Sequence, residues 1–254
     1  MTHPVIRGRA ISVLVHADSK AGKSTFANST PAPRLLIDAE MAYRFLPGTK
    51  VFWDPMRDSP PEYNGTWETC VVLIREYSTL TRVMEWLDSG YHPFRSVSID
   101  SITEVQTRCK DDLSADGRMD QRLWGDLLTH MERTCRRFRD LTEHPTKPLE
   151  AVVITAMTQM RDGKWRPYVQ GQLSVKMPYF MDVIGYLHVV SYAQEDPTQP
   201  HYAVRQMAVV PSQQYEAGER VQGRLPAMIY HPTVTQMLDD VFGPLPAPPT
   251  EGIA

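Results

Sequence analysis

Short apolar runs alternate with helix-like patterns through much of the chain. Five runs have the length and apolar content of buried strands: Ile11 to Val15, Leu35 to Ile37, Cys70 to Ile74, Val97 to Ile99 and Ala151 to Ile154. A strand without a polar face must be covered on both sides, which is typical of a parallel sheet between helices. The sequence therefore predicts an α/β fold with a mainly parallel central sheet flanked by helices.

Two amphipathic helices are predicted between these strands. Ser78 and Thr79 are placed to cap the first of them, and Asp120 is placed to cap a longer one. In both segments apolar residues recur at spacings of three and four, as on one face of a helix. The order of strands and helices predicts βαβ units.

Toward the C-terminus the pattern becomes β-rich. Val183 to Tyr192 and Tyr202 to Val210 flank the turn-like segment Glu195 to Pro200, and this arrangement predicts a β-hairpin that extends the sheet. Residues His231 to Val241 predict a closing helix.

Length and composition favour one globular domain. The chain has 254 residues, of which 42% are hydrophobic and 22% charged, as in ordinary globular proteins. We expect a single domain over residues 1–242 and a flexible proline-rich tail over residues 243–254, because prolines cannot join a helix or a central strand. No apolar stretch is long enough for a signal peptide or a membrane span, so we expect a cytoplasmic protein without a membrane partner.

Cysteine content and net charge narrow the possibilities further. Cys70, Cys109 and Cys135 are odd in number and widely spaced, so they predict buried thiols rather than disulfides or a zinc site. A net charge of −3 argues against a protein that coats nucleic acid by bulk electrostatics, although it leaves a local basic patch open.

An apolar strand, a loop and a helix start follow one another between Ile11 and Ala27. Gly22-Lys23-Ser24 in this context predicts a phosphate-binding loop. Gly22 allows a phosphate to approach the backbone, Lys23 would reach the β- and γ-phosphates, and the Ser24 hydroxyl would bind Mg²⁺. The candidate nucleotide-binding residues are Asp18, Ser19, Lys20, Ala21, Gly22, Lys23, Ser24 and Thr25.

One position departs from the motif G-x-x-x-x-G-K-[ST]. Ala17 stands where the motif has glycine, and alanine fits there only if the backbone avoids positive φ. The alternative interpretation is a Lys-Ser pair at an ordinary helix start.

A second acidic motif supports a nucleotide site. Asp100 ends the strand predicted at Val97 to Ile99, where P-loop proteins hold Mg²⁺ through a carboxylate and water. The alternative is that Asp100 only caps the following helix.

Hydrolysis also needs a group that orients or deprotonates water. Many P-loop proteins carry glutamate directly after the strand-ending aspartate, but this chain has Ser101. Glu40 follows the strand Leu35 to Ile37 and would stand at the edge of a parallel sheet where ligands bind. Glu104 is the alternative, and we expect it to face along its own helix.

These residues resemble a known family. Ile37-Asp-Ala-Glu40 is similar to the RecA segment that supplies the catalytic glutamate, and Ile99-Asp-Ser101 resembles its Mg²⁺-binding strand end. A closer resemblance is to the RecA-like ATPases of tailed bacteriophages, the single-strand annealing or recombinase proteins of the fourth Sak class. It rests on Asp-Ser-Ile-Thr-Glu104, Arg122-Leu-Trp-Gly125, Thr155-Ala156 and the segment from Gln170 to Asp182.

The resemblance covers about residues 10 to 230 and implies a RecA-like P-loop core with ATP as substrate. It also implies single-stranded DNA as partner, self-assembly into a ring or filament, and a single-strand-binding protein as a candidate partner. Thr155 or Gln159 would serve as the nucleotide sensor, and Lys176 matches a lysine that reaches the neighbouring subunit's γ-phosphate. An ordinary solvated lysine is an equal alternative for Lys176.

A cationic and aromatic segment follows the sensor strand. Arg161, Lys164 and Arg166 interleave with Trp165 and Tyr168, so cations could contact phosphates while rings stack on unpaired bases. The segment is therefore a candidate DNA-binding loop. The alternative is a β-turn at Asp162-Gly163 with Trp165 packed on the domain surface.

Three functions stay open at this point. The first is an ATP-dependent recombinase or annealing protein that acts on single-stranded DNA. The second is a small phosphotransferase that uses the same loop. The third is an assembly factor that ATP switches without any role for DNA.

Overall fold

A computed structural model describes residues 8–114, 117–193 and 202–245, and the strands within these ranges belong to one sheet. The strands are β1 Ile11–Ala17, β2 Arg34–Asp38, β3 Lys50–Phe52, β4 Thr69–Leu73, β5 Ser96–Asp100, β6 Ala151–Arg161, β7 Lys164–Pro167, β8 Val183–Tyr192, β9 Tyr202–Ala208, β10 Gly218–Glu219 and β11 Met228–Tyr230. The helices are α1 Lys23–Ala27, α2 Tyr77–Asp88, α3 Ile102–Leu113, α4 Gln121–Asp140, α5 Leu173–Lys176 and α6 Val234–Phe242. Short 3₁₀ helices lie at Ala42–Phe45, Leu141–Glu143 and Met177–Phe180.

The centre of the sheet is parallel. Strands β8, β1, β6, β5, β2, β4 and β3 are neighbours in that order, and each adjacent pair runs parallel. The antiparallel strands lie outside this core: β9 and β11 continue the sheet beyond β8, β10 pairs with β8, and β7 pairs with β6. The predicted mainly parallel α/β fold is therefore confirmed.

Helices cover both faces of the sheet, as predicted. Leu14 packs into the core under α2, α3 and α4, whereas Val13 and Val15 pack into a second core under α1 and α6. We call the side covered by α1 and α6 the α1 face. Side chains alternate between the two faces along each strand, so the face on which a residue lies determines whether its side chain can contact the loop after β1.

The predicted helix caps have different outcomes. The Asp120 side chain accepts a hydrogen bond of 2.8 Å from the Leu123 N–H and caps α4 as predicted. The cap predicted at Ser78 and Thr79 is wrong, because α2 begins at Tyr77. The Asp112 carboxylate accepts the Tyr77 N–H at 2.8 Å, which satisfies the first donor from outside the helix.

The C-terminal β-hairpin is present as predicted. β8 and β9 pair antiparallel from Tyr186↔Ala208 to Tyr192↔Tyr202, and the predicted turn at 195–200 lies outside the described residues. The closing helix is α6. Of the predicted tail, residues 246–254 also lie outside the described part.

The predicted loop after the sensor strand is instead a second β-hairpin. β6 continues to Arg161 and pairs with β7 around Asp162 and Gly163, whose φ angles are 53° and 73°. Two consecutive residues with positive φ form the turn that Asp-Gly favours between antiparallel strands. The Asp-Gly pair therefore forms the β-turn that the sequence left open as the alternative, and the segment is a hairpin rather than the predicted loop.

The three cysteines are buried, as predicted. Burial raises the pKa of each of these thiols to about 12. None of the helices in the described part of the chain is long and apolar enough to span a membrane.

His16 is a buried polar side chain near the end of β1. Its Nε2 donates to the Glu216 carbonyl oxygen at 2.7 Å, and its Nδ1 lies 3.0 Å from the Thr158 hydroxyl. Burial lowers the pKa of His16 from 6.5 to about 4, although the bond to Glu216 acts in the opposite direction. His16 therefore ties β1 to the β6–β7 hairpin in its neutral form.

This pKa predicts a loss of stability in mild acid. The neutral ring is favoured in the folded chain, so the stabilisation is complete above pH 6.5 and is lost as the pH falls toward 4. Between pH 7 and pH 5 the free energy of unfolding should fall by about 2 kcal/mol more in the wild type than in His16→Gln. Urea unfolding at both pH values measures this difference. The exposed His130→Gln should keep the wild-type dependence, and equal slopes for wild type and His16→Gln would refute the assignment.

Candidate active site

The loop after β1 has the backbone of a phosphate cradle. Ala17 ends β1 and is paired in parallel register with Met157 and Leu187, so its backbone is extended and needs no glycine. Positive φ occurs instead at Lys20 (65°) and Gly22 (102°). Alanine is therefore tolerated in place of the motif's glycine, because residue 17 has the extended backbone of the strand end.

Lys23 is folded over this loop. Its side chain is buried, and Nζ donates to the carbonyl oxygens of Ala17 at 3.2 Å and Asp18 at 3.0 Å. An ammonium group has three donors, so one remains for a phosphate oxygen. The lysine is held at the carboxyl end of the parallel strands, where α/β sheets bind ligands.

Asp100 lies at the centre of the candidate site. It is fully buried at the end of β5, and its Oδ1 accepts a hydrogen bond of 2.6 Å from the Thr155 hydroxyl on β6. The helix cap is supplied by Ser101, whose hydroxyl accepts the Glu104 N–H. Capping therefore does not account for Asp100, which removes the alternative raised by the sequence.

Burial raises the pKa of Asp100 to about 6. The hydroxyls of Ser24 and Thr155 act against this rise, while Glu40 and Asp38 add to it. The second carboxylate oxygen, Oδ2, is buried and accepts no hydrogen bond from any described residue. Buried polar atoms in folded proteins almost always have a partner.

Ser24 and Asp100 fit a magnesium ion. The orphaned Oδ2 of Asp100 calls for a cation or a water donor, and the Ser24 hydroxyl lies beside the same carboxylate. Hydroxyl, carboxylate and water oxygens are the ligands that Mg²⁺ prefers, with phosphates completing the shell. In this arrangement Ser24 and Asp100 would hold the ion.

Glu40 lies beside this group at the end of the neighbouring strand. It is exposed, and its carboxylate accepts a hydrogen bond from the Ser101 hydroxyl. Asp38, which the sequence did not single out, shapes the turn. It is buried, and its two oxygens accept the N–H groups of Glu40 at 2.9 Å and Tyr43 at 2.8 Å.

The Glu104 side chain is paired with an arginine of its own helix. Its carboxylate forms an ion pair of 2.7 Å with Arg108 one turn further along α3, as expected for a residue facing along its own helix. The geometry therefore favours Glu40 over Glu104 beside the candidate phosphates.

Comparison with known proteins identifies the family of the domain. The model of the AAA domain family matches residues 9–221. The chain belongs to the AAA domain family. It carries the P-loop ATPase domain of that family, and the match includes the phosphate loop, Glu40, Asp100 and Thr155.

Among solved structures, the AAA domain is similar to an ATPase from the type III secretion system of pathogenic bacteria. The identity is 16% and the TM-score 0.43, over 71% of this chain and 52% of that one. The chain thus spans about half the length of that ATPase. The comparison of this chain with curated protein sequences found no match.

The two sensor candidates of the AAA domain lie in different places. Thr155 contacts Asp100 directly, as described above. Gln159 lies beyond the end of β1 and is paired with Arg166 across the β6–β7 hairpin. By strand alternation, Gln159 and Arg161 continue the side of β6 that carries Thr155.

The hairpin register separates the cations from the large apolar side chains. Arg161 lies opposite Lys164, and Arg166 lies opposite Gln159, so the three cations share the α1 face. Met160 and Trp165 lie opposite each other on the other face. The cations and Trp165, which alternate along the sequence, therefore lie on opposite faces of the hairpin.

Trp165 is packed rather than free. It is half-buried, its backbone N–H donates to the Gln214 carbonyl oxygen at 2.8 Å, and its backbone carbonyl oxygen accepts the Glu216 N–H at 2.8 Å. Tyr168 is 39% exposed just after β7. The half-buried side chain and the paired backbone agree with the alternative left open by the sequence, in which Trp165 lies on the domain surface.

Lys176 lies on the α4 side of the AAA domain. Its ammonium forms an ion pair with Glu132 of α4, and the side chain is 41% exposed. It therefore points away from the phosphate loop of its own chain.

Arg205 is a residue that sequence reasoning missed. Its guanidinium lies against Gly22, so that a Cβ placed on Gly22 would be 2.4 Å from Nε. Arg205 comes from β9, far from the loop in sequence, and no local motif marks it.

This contact predicts a specific defect for Gly22→Ala. The new methyl group would meet Arg205 and would also force alanine into a φ of 102°, a region that costs an ordinary residue roughly 1–2 kcal/mol. We expect ATP affinity to fall at least tenfold, measured by displacement of a fluorescent nucleotide. Gly125→Ala, in open space on α4, should bind as the wild type does. Wild-type affinity for Gly22→Ala would show that the loop tolerates a side chain there.

Proposed function

We propose that this AAA domain is an ATP-dependent recombinase or annealing protein, which binds ATP with Mg²⁺, hydrolyses the ATP and acts on single-stranded DNA. The observation that carries the hydrolytic part is the convergence of Lys23, Ser24, Asp100, Thr155 and Glu40 at one edge of the sheet. The resemblance to the phage proteins of the fourth Sak class supports the DNA part and a role in phage DNA recombination or replication.

Each residue has a separate task in this proposal. Lys23 would neutralise the terminal phosphates, and Ser24 with Asp100 would hold the ion that offsets their charge. Glu40 orients the attacking water and accepts its proton, and its exposure keeps it accessible to that water. The Ser101 hydroxyl and the Asp38 turn hold the Glu40 carboxylate near the phosphates.

Thr155 is suited to report the state of the nucleotide. It is bonded to the same Asp100 carboxylate that would hold the ion, and it lies on the strand that continues into the β6–β7 hairpin. A change at the ion can therefore pass along one strand toward Gln159 and the hairpin cations.

The β6–β7 hairpin is the proposed DNA contact. Arg161 and Lys164 form a cationic pair across the turn at its tip, where they can neutralise phosphates of a single strand. The exposed ring of Tyr168 lies near the base of the hairpin and offers a stacking surface. Trp165 contributes to the shape of the hairpin in this proposal.

Self-assembly into a ring or filament would complete the site. Val175 and Tyr179 are exposed on either side of Lys176, which gives the lysine an apolar surround suited to a subunit contact. In such an assembly Lys176 would leave Glu132 and reach the γ-phosphate held by the next subunit, where a cation stabilises the transition state.

One observation favours the assembly factor as a second candidate function. Met41 is exposed directly after Glu40, and Phe45 at the end of the following 3₁₀ helix is 91% accessible. An apolar surface beside the proposed base could couple ATP binding to protein contacts without DNA. DNA binding by the wild type separates the two functions.

Glu40→Gln should separate binding from hydrolysis. Glutamine keeps the hydrogen bond from Ser101 but cannot accept a proton, so ATP affinity should stay within about threefold and turnover should fall by about 10²–10⁴. Turnover is measured by phosphate release and affinity by nucleotide displacement. Glu104→Gln is the matched control and should hydrolyse at a near-normal rate. The reverse pattern would assign the base to Glu104.

The DNA assignment predicts a defect confined to the hairpin cations. Arg161→Ala with Lys164→Ala should weaken single-stranded DNA binding and reduce the slope of log affinity against log salt by about 1.4, from two lost phosphate contacts. Fluorescence anisotropy over a salt series measures both quantities, and ATP turnover with and without DNA reports coupling. Arg82→Ala with Lys110→Ala removes the same charge elsewhere and should change neither. Absence of DNA binding by the wild type would favour the assembly function.

A further inference from the structure

Arg205 is a cation beside the phosphate loop that the motifs do not explain. Arg205 lies on β9 and is paired with Val189 of β8. Met207, two residues further along β9, is paired with Leu187, and Leu187 is paired with Ala17 at the end of β1. Arg205 is therefore two residues beyond the level at which β1 ends. Met207 packs into the core of the α1 face, so alternation along β9 places the Arg205 side chain on that same face.

The guanidinium rests directly on the loop. A Cβ on Gly22 would lie 2.4 Å from Arg205 Nε, 2.7 Å from Cζ and 3.0 Å from one terminal nitrogen. Such proximity is possible only because residue 22 is glycine. Glycine at this position therefore serves two needs: a φ of 102° and room for the arginine.

Arg205 is not ion-paired with any carboxylate in the described part of the chain. Its Nε is buried without a hydrogen-bond partner among the described residues. Lys23, the other cation of the loop, is bonded only to carbonyl oxygens among the described residues. Two cations at one loop, neither of them ion-paired with a described carboxylate, favour the binding of an anion there.

We infer that Arg205 binds the phosphate chain of the nucleotide from within the same subunit, as the second cation of the site. This inference rests on the proposed nucleotide-binding function and adds a residue outside the phosphate-loop motif. A planar guanidinium matches phosphate oxygens and keeps its charge at any physiological pH. The β8–β9 hairpin then becomes part of the nucleotide site rather than an edge extension alone.

A connection to the second core follows from this contact. Arg205 accepts the His231 N–H at 2.8 Å through its carbonyl oxygen, just before α6 begins at Val234. A phosphate held by the Arg205 side chain is therefore linked through one backbone bond to the segment that leads into α6.

The test compares nucleotides that differ only in their phosphates. Competition against a fluorescent nucleotide would measure the affinities of ATP, ADP and AMP for the wild type, Arg205→Gln and Arg205→Lys. We expect Arg205→Gln to lose at least tenfold in ATP affinity and less than threefold in AMP affinity. Arg205→Lys should recover part of the ATP affinity, and the exposed Arg82→Gln should match the wild type for all three ligands.

The other outcomes each overturn the inference. Equal losses for ATP and AMP would place the arginine on the base or in a structural role, and an unchanged ATP affinity would exclude contact with the phosphates. If Arg205→Gln fails to fold, Arg205→Met replaces it as the uncharged variant, and a preference for ATP over AMP that equals the wild-type preference would then exclude the contact. Failure of the proposed function is recognised separately, because the wild type would then bind none of the nucleotides.

Discussion

The buried carboxylate of Asp100 is the group on which the candidate site depends. It is out of contact with solvent, one oxygen is bonded to Thr155, and the other has no donor among the described residues. Burying such a group is unfavourable unless it gains hydrogen bonds or a cation. The nearby charges of Glu40 and Asp38 make the ionised form of Asp100 still less favourable and raise the pKa of Asp100 further. The cluster is therefore organised around a charge that a bound cation would stabilise.

Much of this arrangement follows from local sequence. The apolar runs predict parallel strands, and parallel strands bring their carboxyl ends to one edge. Lys23, Asp100 and Glu40 each stand at or just beyond such an end, so their convergence on one edge could be foreseen. Lys23 and Ser24 are further marked by the glycine that precedes them, because a tight backbone turn leaves a local signature.

The remainder depends on contacts that no local pattern encodes. Arg205 reaches Gly22 only because β9 folds back along β8, which in turn pairs with β1. The position of the hairpin cations depends on a register that is set by the Asp162-Gly163 turn, and a shift by one residue would reverse the face of every side chain. Asp38 was overlooked because its role is to accept backbone donors, which depends on the path of the turn after β2.

In the proposed function, Lys23, Ser24 and Asp100 form one site for a nucleotide with its magnesium ion. A structure determined with Mg²⁺ and a non-hydrolysable ATP analogue tests it most directly. We expect a metal held by the Ser24 hydroxyl, with Oδ2 of Asp100 bound to it directly or through one water, and terminal phosphates at the Lys23 ammonium. A nucleotide bound elsewhere on the domain, or a metal remote from both Ser24 and Asp100, would contradict this proposal.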